Sequence, residues 1–126
     1  MAKEKKWGVV PYRKKKGKVE VLLITTRNHH WGLPKGNLIK KIGARKTALR
    51  EAYEEAGILG RLEGEGKKYD PSQEDSIFFW PMAVEKELDR WPESQDRARL
   101  WVTPSEARNM VKKKASREAL ELAKIG

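Results

Sequence analysis

At 126 residues the chain has the length of one domain, with enough surface to bury a core without a disulfide or a structural metal. It has no cysteine, which fits a reducing compartment, and no apolar run near the ~18 residues a membrane span needs. With 28 Lys+Arg against 18 Asp+Glu the net charge is +10, which favours anionic company: nucleic acid, polyphosphates or an anionic surface.

The start, MAKEKKWGVV, is basic and lacks the apolar stretch of a signal peptide. The expectation is a single domain over residues 1–126, soluble and cytoplasmic, with no membrane partner, as a monomer or homodimer. Trp7 to Tyr12 reads as a strand. The run Arg13 to Lys18 reads as a hairpin turn, with Gly17 at the demanding backbone position. Val19 to Arg27 (VEVLLITTR) is β-branched and reads as the second strand. Asn28 to Asn37 is loop or short extended structure, punctuated by Gly32, Pro34 and Gly36. A helix is predicted from about Arg45 to Ala56, with Gly57 as a left-handed C-terminal cap.

Ile58 to Tyr69 reads as a strand broken by glycines, and Lys68 to Asp75 as a polar loop. Ser76 to Leu88 holds a further strand, in which Pro81 implies an edge or a bulge. Leu100 to Val102 is a short strand. Thr103-Pro104-Ser105-Glu106 is a helix start: Thr caps, Pro suits the first turn, and Glu reaches back to the cap. One helix passes through Ala107 and Val111, and Ser116 to Lys124 continues it or forms another. This order indicates a mixed α/β domain with helices packed on a sheet.

The predicted helix gathers Glu51, Glu54 and Glu55. At about 100° per residue, Glu54 and Glu55 fall at about 300° and 40° from Glu51, so the three share about 100° of arc. Ala52, Ala56, Leu49 and Tyr53 make a separate apolar face for the sheet. Like charges at this spacing repel. Arg50, four residues before Glu54, offsets part of that, and a divalent cation would offset far more, because carboxylates and a loop carbonyl are hard oxygen ligands suited to Mg²⁺ or Mn²⁺. The alternative is a solvated acidic face held by neighbouring Lys and Arg. The preceding loop tilts the balance. Lys35, Lys40, Lys41 and Arg45 stand near the carboxylates, and cations, exposed amides and a metal are what phosphate chemistry needs.

Gly36, followed by Arg50-Glu51-Ala52-Tyr53-Glu54-Glu55-Ala56-Gly57-Ile58 at the right separation, resembles the Nudix hydrolase signature, with eight of its positions matched. Ile42 stands where that family carries its first Glu, which supports the loop and pairs with the signature Arg; Arg50 thereby lacks one partner. The stretch Trp31 to Asn37 (WGLPKGN) is similar to the diadenosine polyphosphate hydrolases of the family. Trp91 to Val102 resembles the diphosphoinositol polyphosphate branch. The resemblance implies an α/β/α sandwich, with a mixed β-sheet flanked by helices. It implies Glu54 and Glu55 as Mg²⁺ ligands, Glu51 as a ligand or an aid to water activation, and the Lys35 backbone carbonyl completing the inner sphere, with Glu87 or Glu93 as a later acidic ligand. It also implies attack of a metal-activated water on one phosphorus of a diphosphate.

Several residues carry bland readings as well. His29 and His30 read mainly as loop, Trp80 and Trp101 as core, and Lys112-Lys113-Lys114 as a solvated helix end. Trp91, among polar residues, reads either as core or as a ring that stacks on an adenine. Arg97 and Arg99 alternate like residues on one strand face and are candidates for phosphate contact. The leading expectation is a Mg²⁺-dependent pyrophosphohydrolase of a charged small-molecule polyphosphate. A 5′-triphosphorylated RNA end and nucleoside triphosphates are the other substrates considered. A catalytically weak binding module of the same fold is the competing reading, supported by Ile42; a general nucleic-acid binder ranks lowest, since no recognition element stands out.

Overall fold

The computed structural model describes residues 4–71 and 75–125. Strands β1 (Glu4–Lys15) and β2 (Lys18–Thr25) form the predicted hairpin. The turn is shorter than the basic run: pairing continues to Lys15↔Lys18, and Lys16 and Gly17 take the left-handed backbone at φ 52° and 78°. The predicted extended segment supplies two short strands, β3 (Trp31–Gly32) and β4 (Lys35–Gly36). Next come α1 (Gly43–Glu51), β5 (Ile58–Leu62), β6 (Lys67–Tyr69), β7 (Asp75–Glu87) and β8 (Arg99–Val102), then α2 (Pro104–Met110) and α3 (Lys114–Ala119), which tightens into a 3₁₀ stretch (Leu120–Ile125). In the predicted polar loop, Lys68 and Tyr69 belong to β6, while Ser72, Gln73 and Glu74 lie outside the described residues.

The sheet is mixed. Its main path runs β3-β2-β1-β7-β5, and β1 lies parallel to β7 from Glu4↔Asp75 to Tyr12↔Ala83 while the other pairings are antiparallel. Pro81 is neither on an edge strand nor at a bulge. Its strand has β1 on one side and both β5 and β6 on the other. Leu62 pairs with Met82 and Lys67 with Phe79, so Pro81 falls at the break between β5 and β6. Its carbonyl accepts from the Glu63 N–H at 2.8 Å. A strand residue turns its N–H and C=O to the same side, so the missing N–H of Pro81 faces the end of β5, where the pairing is already breaking off.

Strand alternation builds a core on each face of the sheet. Val10, Tyr12, Val21, Leu23, Ile77 and Phe79 meet α2, α3 and the 3₁₀ stretch. Val9, Leu22, Ile24, Trp80 and Met82 meet α1. Helices on both faces make the expected three-layer α/β/α domain. The Thr103 capping box forms as read: Thr103 Oγ1 accepts from the Glu106 N–H, and Glu106 Oε1 accepts from the Thr103 N–H. Among the described residues no helix is long and apolar enough to cross a membrane.

Candidate active site

The glutamates sit where α1 changes its winding. From Ala52 to Ala56 the helix widens into a π turn, a rare form that is frequent at functional sites. Ala48, Ala52 and Ala56 are fully buried, and their small side chains seat this helix close on the sheet. Tyr53 does not join that face. It is 38% exposed, because the wider turn rotates the residues away from the 100° wheel. Gly57 ends the turn in the left-handed conformation (φ 65°), as predicted. A Cβ there would stand 2.7 Å from the Trp91 ring, so glycine serves both backbone and neighbour.

Glu55 is held from two sides. Its Oε1 accepts from the Lys35 N–H at 3.1 Å, and its Oε2 lies 3.4 Å from Arg97 Nη2. The Arg97 side chain is only 9% exposed and also engages Glu93 Oε1 (2.7 Å) and the Thr25 carbonyl (2.8 Å). Arg97 is therefore an internal counter-charge that ties two acidic residues to β2. Burial pushes the Glu55 carboxyl up to about 7, against the lowering by Arg97 and by the Lys35 N–H. Glu51 is also pushed upward, by burial first and by the Glu54 charge second. Gly36 makes room for Glu51: a Cβ on it would lie 2.4 Å from Glu51 Cδ. Glu54 is turned to Arg50, with Arg50 Nε to Glu54 Oε1 at 2.9 Å. Arg50 thus has a carboxylate partner although Ile42 offers none. The loop ahead of Ile42 is pinned by the buried Thr47, whose Oγ1 accepts from the Ile39 N–H at 3.0 Å.

Glu51, Glu54 and Glu55 open on one cleft of about 660 Å³, together with Lys35, Glu93 and Arg97. The other expected contacts lie elsewhere. Lys40, Lys41 and Arg45 are exposed and do not line the cleft; the Arg45 guanidinium faces the Trp80 ring at 5.7 Å. Arg99 donates to the carbonyls of Ala56 (2.9 Å) and Leu88 (2.6 Å), pairs with Glu87 and stacks on Trp91, so it braces the end of the glutamate turn. Of the two candidate extra acids, Glu93 lines the cleft, whereas Glu87 pairs outside it with Arg99 and Trp101. Trp91 bonds the Glu55 carbonyl through Nε1 at 3.0 Å. Besides Lys35 and Arg97, the cations that line the cleft come from distant segments: Lys6, Arg27, Lys112 and Lys113, with His30 and Trp31 also in the lining. The intervals between these segments in the chain carry no pattern that would have joined them to the glutamates.

The donor set fits a hard divalent cation. Two carboxyls held out of water gain from a cation that replaces the proton, and their oxygens are the ligands Mg²⁺ and Mn²⁺ prefer. Among the described residues no three acidic or histidine side chains already converge as a metal cage. Glu54 would turn from Arg50 to join Glu51 and Glu55.

The fold and the site define a class: an α/β/α domain with an acidic turn facing a basic cleft. Residues 3–123 match the NUDIX domain, and the chain belongs to that family. Nudix hydrolase 21, chloroplastic, of Arabidopsis thaliana is 40% identical over 124 residues, covering 90% of this chain and 63% of that protein. Nudix hydrolase 18, mitochondrial, of the same plant is 34% identical over 128 residues, covering 91% and 73%. Against Nudix hydrolases 21 and 4 the chain spans 63% and 62% of their length, just under two thirds. Among solved structures, a Caenorhabditis elegans Ap4A hydrolase superposes with a TM-score of 0.72 at 25% identity, covering 98% of this chain and 97% of the other.

Proposed function

We propose that this chain is a single-domain, divalent-metal-dependent pyrophosphohydrolase that cleaves a phosphoanhydride bond in a highly charged polyphosphate. One observation carries the reading: Glu51 at the end of α1 and Glu54 and Glu55 on the π turn that follows line one cleft, whose other walls bring Lys6, Arg27, Lys112 and Lys113. Glu54 and Glu55 are read as metal ligands, Glu51 as a ligand or the group that accepts a proton from water, and the Lys35 carbonyl as a further ligand. Mg²⁺ is the first choice and Mn²⁺ the second. When bound, the ion lowers the pKa of water and neutralises phosphate charge. Arg97 keeps Glu55 and Glu93 in place, and the lysines hold the phosphates that are not attacked. Water adds to one phosphorus, the bridging P–O bond breaks, and the leaving phosphate departs with its electron pair.

Two substrate classes suit a basic cleft: diadenosine polyphosphates, supported by the likeness to the Ap4A hydrolase, and diphosphoinositol polyphosphates. An RNA 5′ end and nucleoside triphosphates are the alternatives. The test is hydrolysis of diadenosine tetraphosphate, a diphosphoinositol polyphosphate, triphosphorylated RNA and nucleoside triphosphates with Mg²⁺, with Glu54→Gln as control. Turnover of one class, lost in the variant, supports the reading and selects the branch.

A second reading, a module that binds polyphosphate without turnover, is favoured by Glu54 being turned to Arg50 where Ile42 replaces the usual partner. Tight binding with no turnover of any substrate would select it. The absence of cysteine supports a reducing compartment, and we read that as the cytoplasm; the names of the plant relatives point to chloroplast and mitochondrion. Imaging of the tagged full-length protein decides.

A further inference from the structure

Ser116 Oγ is a buried side-chain polar atom without any hydrogen-bond partner among the described residues. Its residue is fully buried, at 0% exposure, and it is among the residues that line the same cleft as the glutamates. A hydroxyl removed from water and left unbonded is costly, and native structures usually keep one only where a ligand, a water or a functional need accounts for it. The surroundings select the ligand. Lys112 and Lys113 lie on the same wall, where α2 gives way to α3, and are exposed. Their side chains are solvated, as read, but the backbone of this junction is fastened to β3 at the cleft. Trp31 pairs with Val111, and the Lys112 N–H donates to the Trp31 carbonyl at 3.3 Å. A hydroxyl donor beside ammonium groups suits an anionic oxygen rather than a base edge or an apolar group. The cleft, about 660 Å³, is in the range that accommodates a drug-sized ligand and has space beyond the reacting diphosphate.

We propose that Ser116 and Lys112 form a second phosphate subsite, which binds a phosphate of the substrate remote from the bond that is cut. Ser116 Oγ makes no bond in its present position, so turning to another staggered rotamer to meet a phosphate oxygen breaks none. The subsite would make affinity depend on the length of the phosphate array, separately from the chemistry at the glutamates. It rests on the hydrolase reading of the cleft only for the direction in which the substrate lies.

The test is calorimetric titration of inorganic tripolyphosphate with Mg²⁺ into the wild type, Ser116→Ala and Lys112→Gln, with turnover followed in the same samples. Ser116→Ala removes an unbonded hydroxyl, so the melting temperature should hold or rise. Each substitution is expected to weaken tripolyphosphate binding roughly tenfold, the loss of one charge-assisted hydrogen bond or ion pair. Unchanged affinity in Ser116→Ala overturns the subsite, even where the wild type turns substrate over and the hydrolase reading stands. Weakened affinity in both variants, with no turnover by the wild type, keeps the subsite and removes the hydrolase reading.

Discussion

The indole Nε1 of Trp91 donates to the backbone carbonyl of Glu55 at 3.0 Å, linking residues 36 positions apart. That carbonyl belongs to the last turn of a helix, where no intrahelical donor is in reach. The ring also covers Gly57 and receives the Arg99 guanidinium at 4.0 Å. Trp91 therefore fixes where the glutamate turn ends, and so where Glu55 points. Trp91→Phe keeps the apolar contact and loses the bond. It should cost about 1 kcal/mol by chemical denaturation, and any turnover should fall through kcat more than through KM.

Arg97 neutralises Glu55 and Glu93 inside the protein. Its removal in Arg97→Met leaves the Glu55 carboxyl, 12% exposed, without its counter-charge. The expected loss is about 3 kcal/mol in the metal-free protein, at the lower end for a broken buried pair because Glu55 takes up a proton. Saturating Mg²⁺ should restore part of this, since the ion replaces the lost positive charge only in the folded state. Melting curves with EDTA and with Mg²⁺ measure both effects.

Gly36 and Glu51 are in contact so close that a methyl group cannot enter. Gly36→Ala would place Cβ 2.4 Å from Glu51 Cδ and push the carboxyl aside. The strand pairing Trp7↔Gly36 needs no glycine conformation, so the fold should persist. A displacement of about 1 Å at a reacting group costs on the order of 10²-fold in rate. Steady-state kinetics beside a circular dichroism melt separates this from unfolding.

The raised Glu55 carboxyl sets a pH dependence. Its value moves from 4.5 to about 7 on folding, so the folded state binds the proton more tightly. Its contribution to stability is fully present below 4.5 and is lost as pH rises through about 7. In EDTA the melting temperature should fall across that window, and Glu55→Gln should flatten the fall. Metal competes with the same proton, so Mg²⁺ affinity should rise with pH and level off above about 7.

The local signals were legible in the sequence. The hairpin, the Gly57 cap and the Thr103 capping box are chemistry of neighbouring residues and appear as read. The misreadings concern what distant segments impose. Pro81 implies an edge or a bulge from its missing donor alone, whereas the break between β5 and β6 opposite it is set by distant segments. A uniform 100° wheel puts Tyr53 on the apolar face because it cannot register a π turn. Arg97 and Arg99 were paired by alternation, yet Arg97 precedes β8, and the two guanidinium groups serve different neighbours. Nearness in the chain groups Lys40, Lys41 and Arg45 with the glutamates, but the loop of Lys40 and Lys41 is tied at Ile39 to Thr47, and Arg45 on α1 faces Trp80. The cations that do line the cleft are brought there by the sheet and the α2–α3 junction.

The central claim is that the glutamate turn holds a metal that cleaves a phosphoanhydride. It is tested most directly by the rate of diadenosine tetraphosphate and diphosphoinositol polyphosphate hydrolysis as Mg²⁺ is titrated, in the wild type and in Glu54→Gln. The account predicts saturable Mg²⁺-dependent turnover of at least one of them, abolished by EDTA and reduced by two orders of magnitude or more in the variant. Turnover in the wild type that persists in EDTA, or is matched by Glu54→Gln, would contradict it.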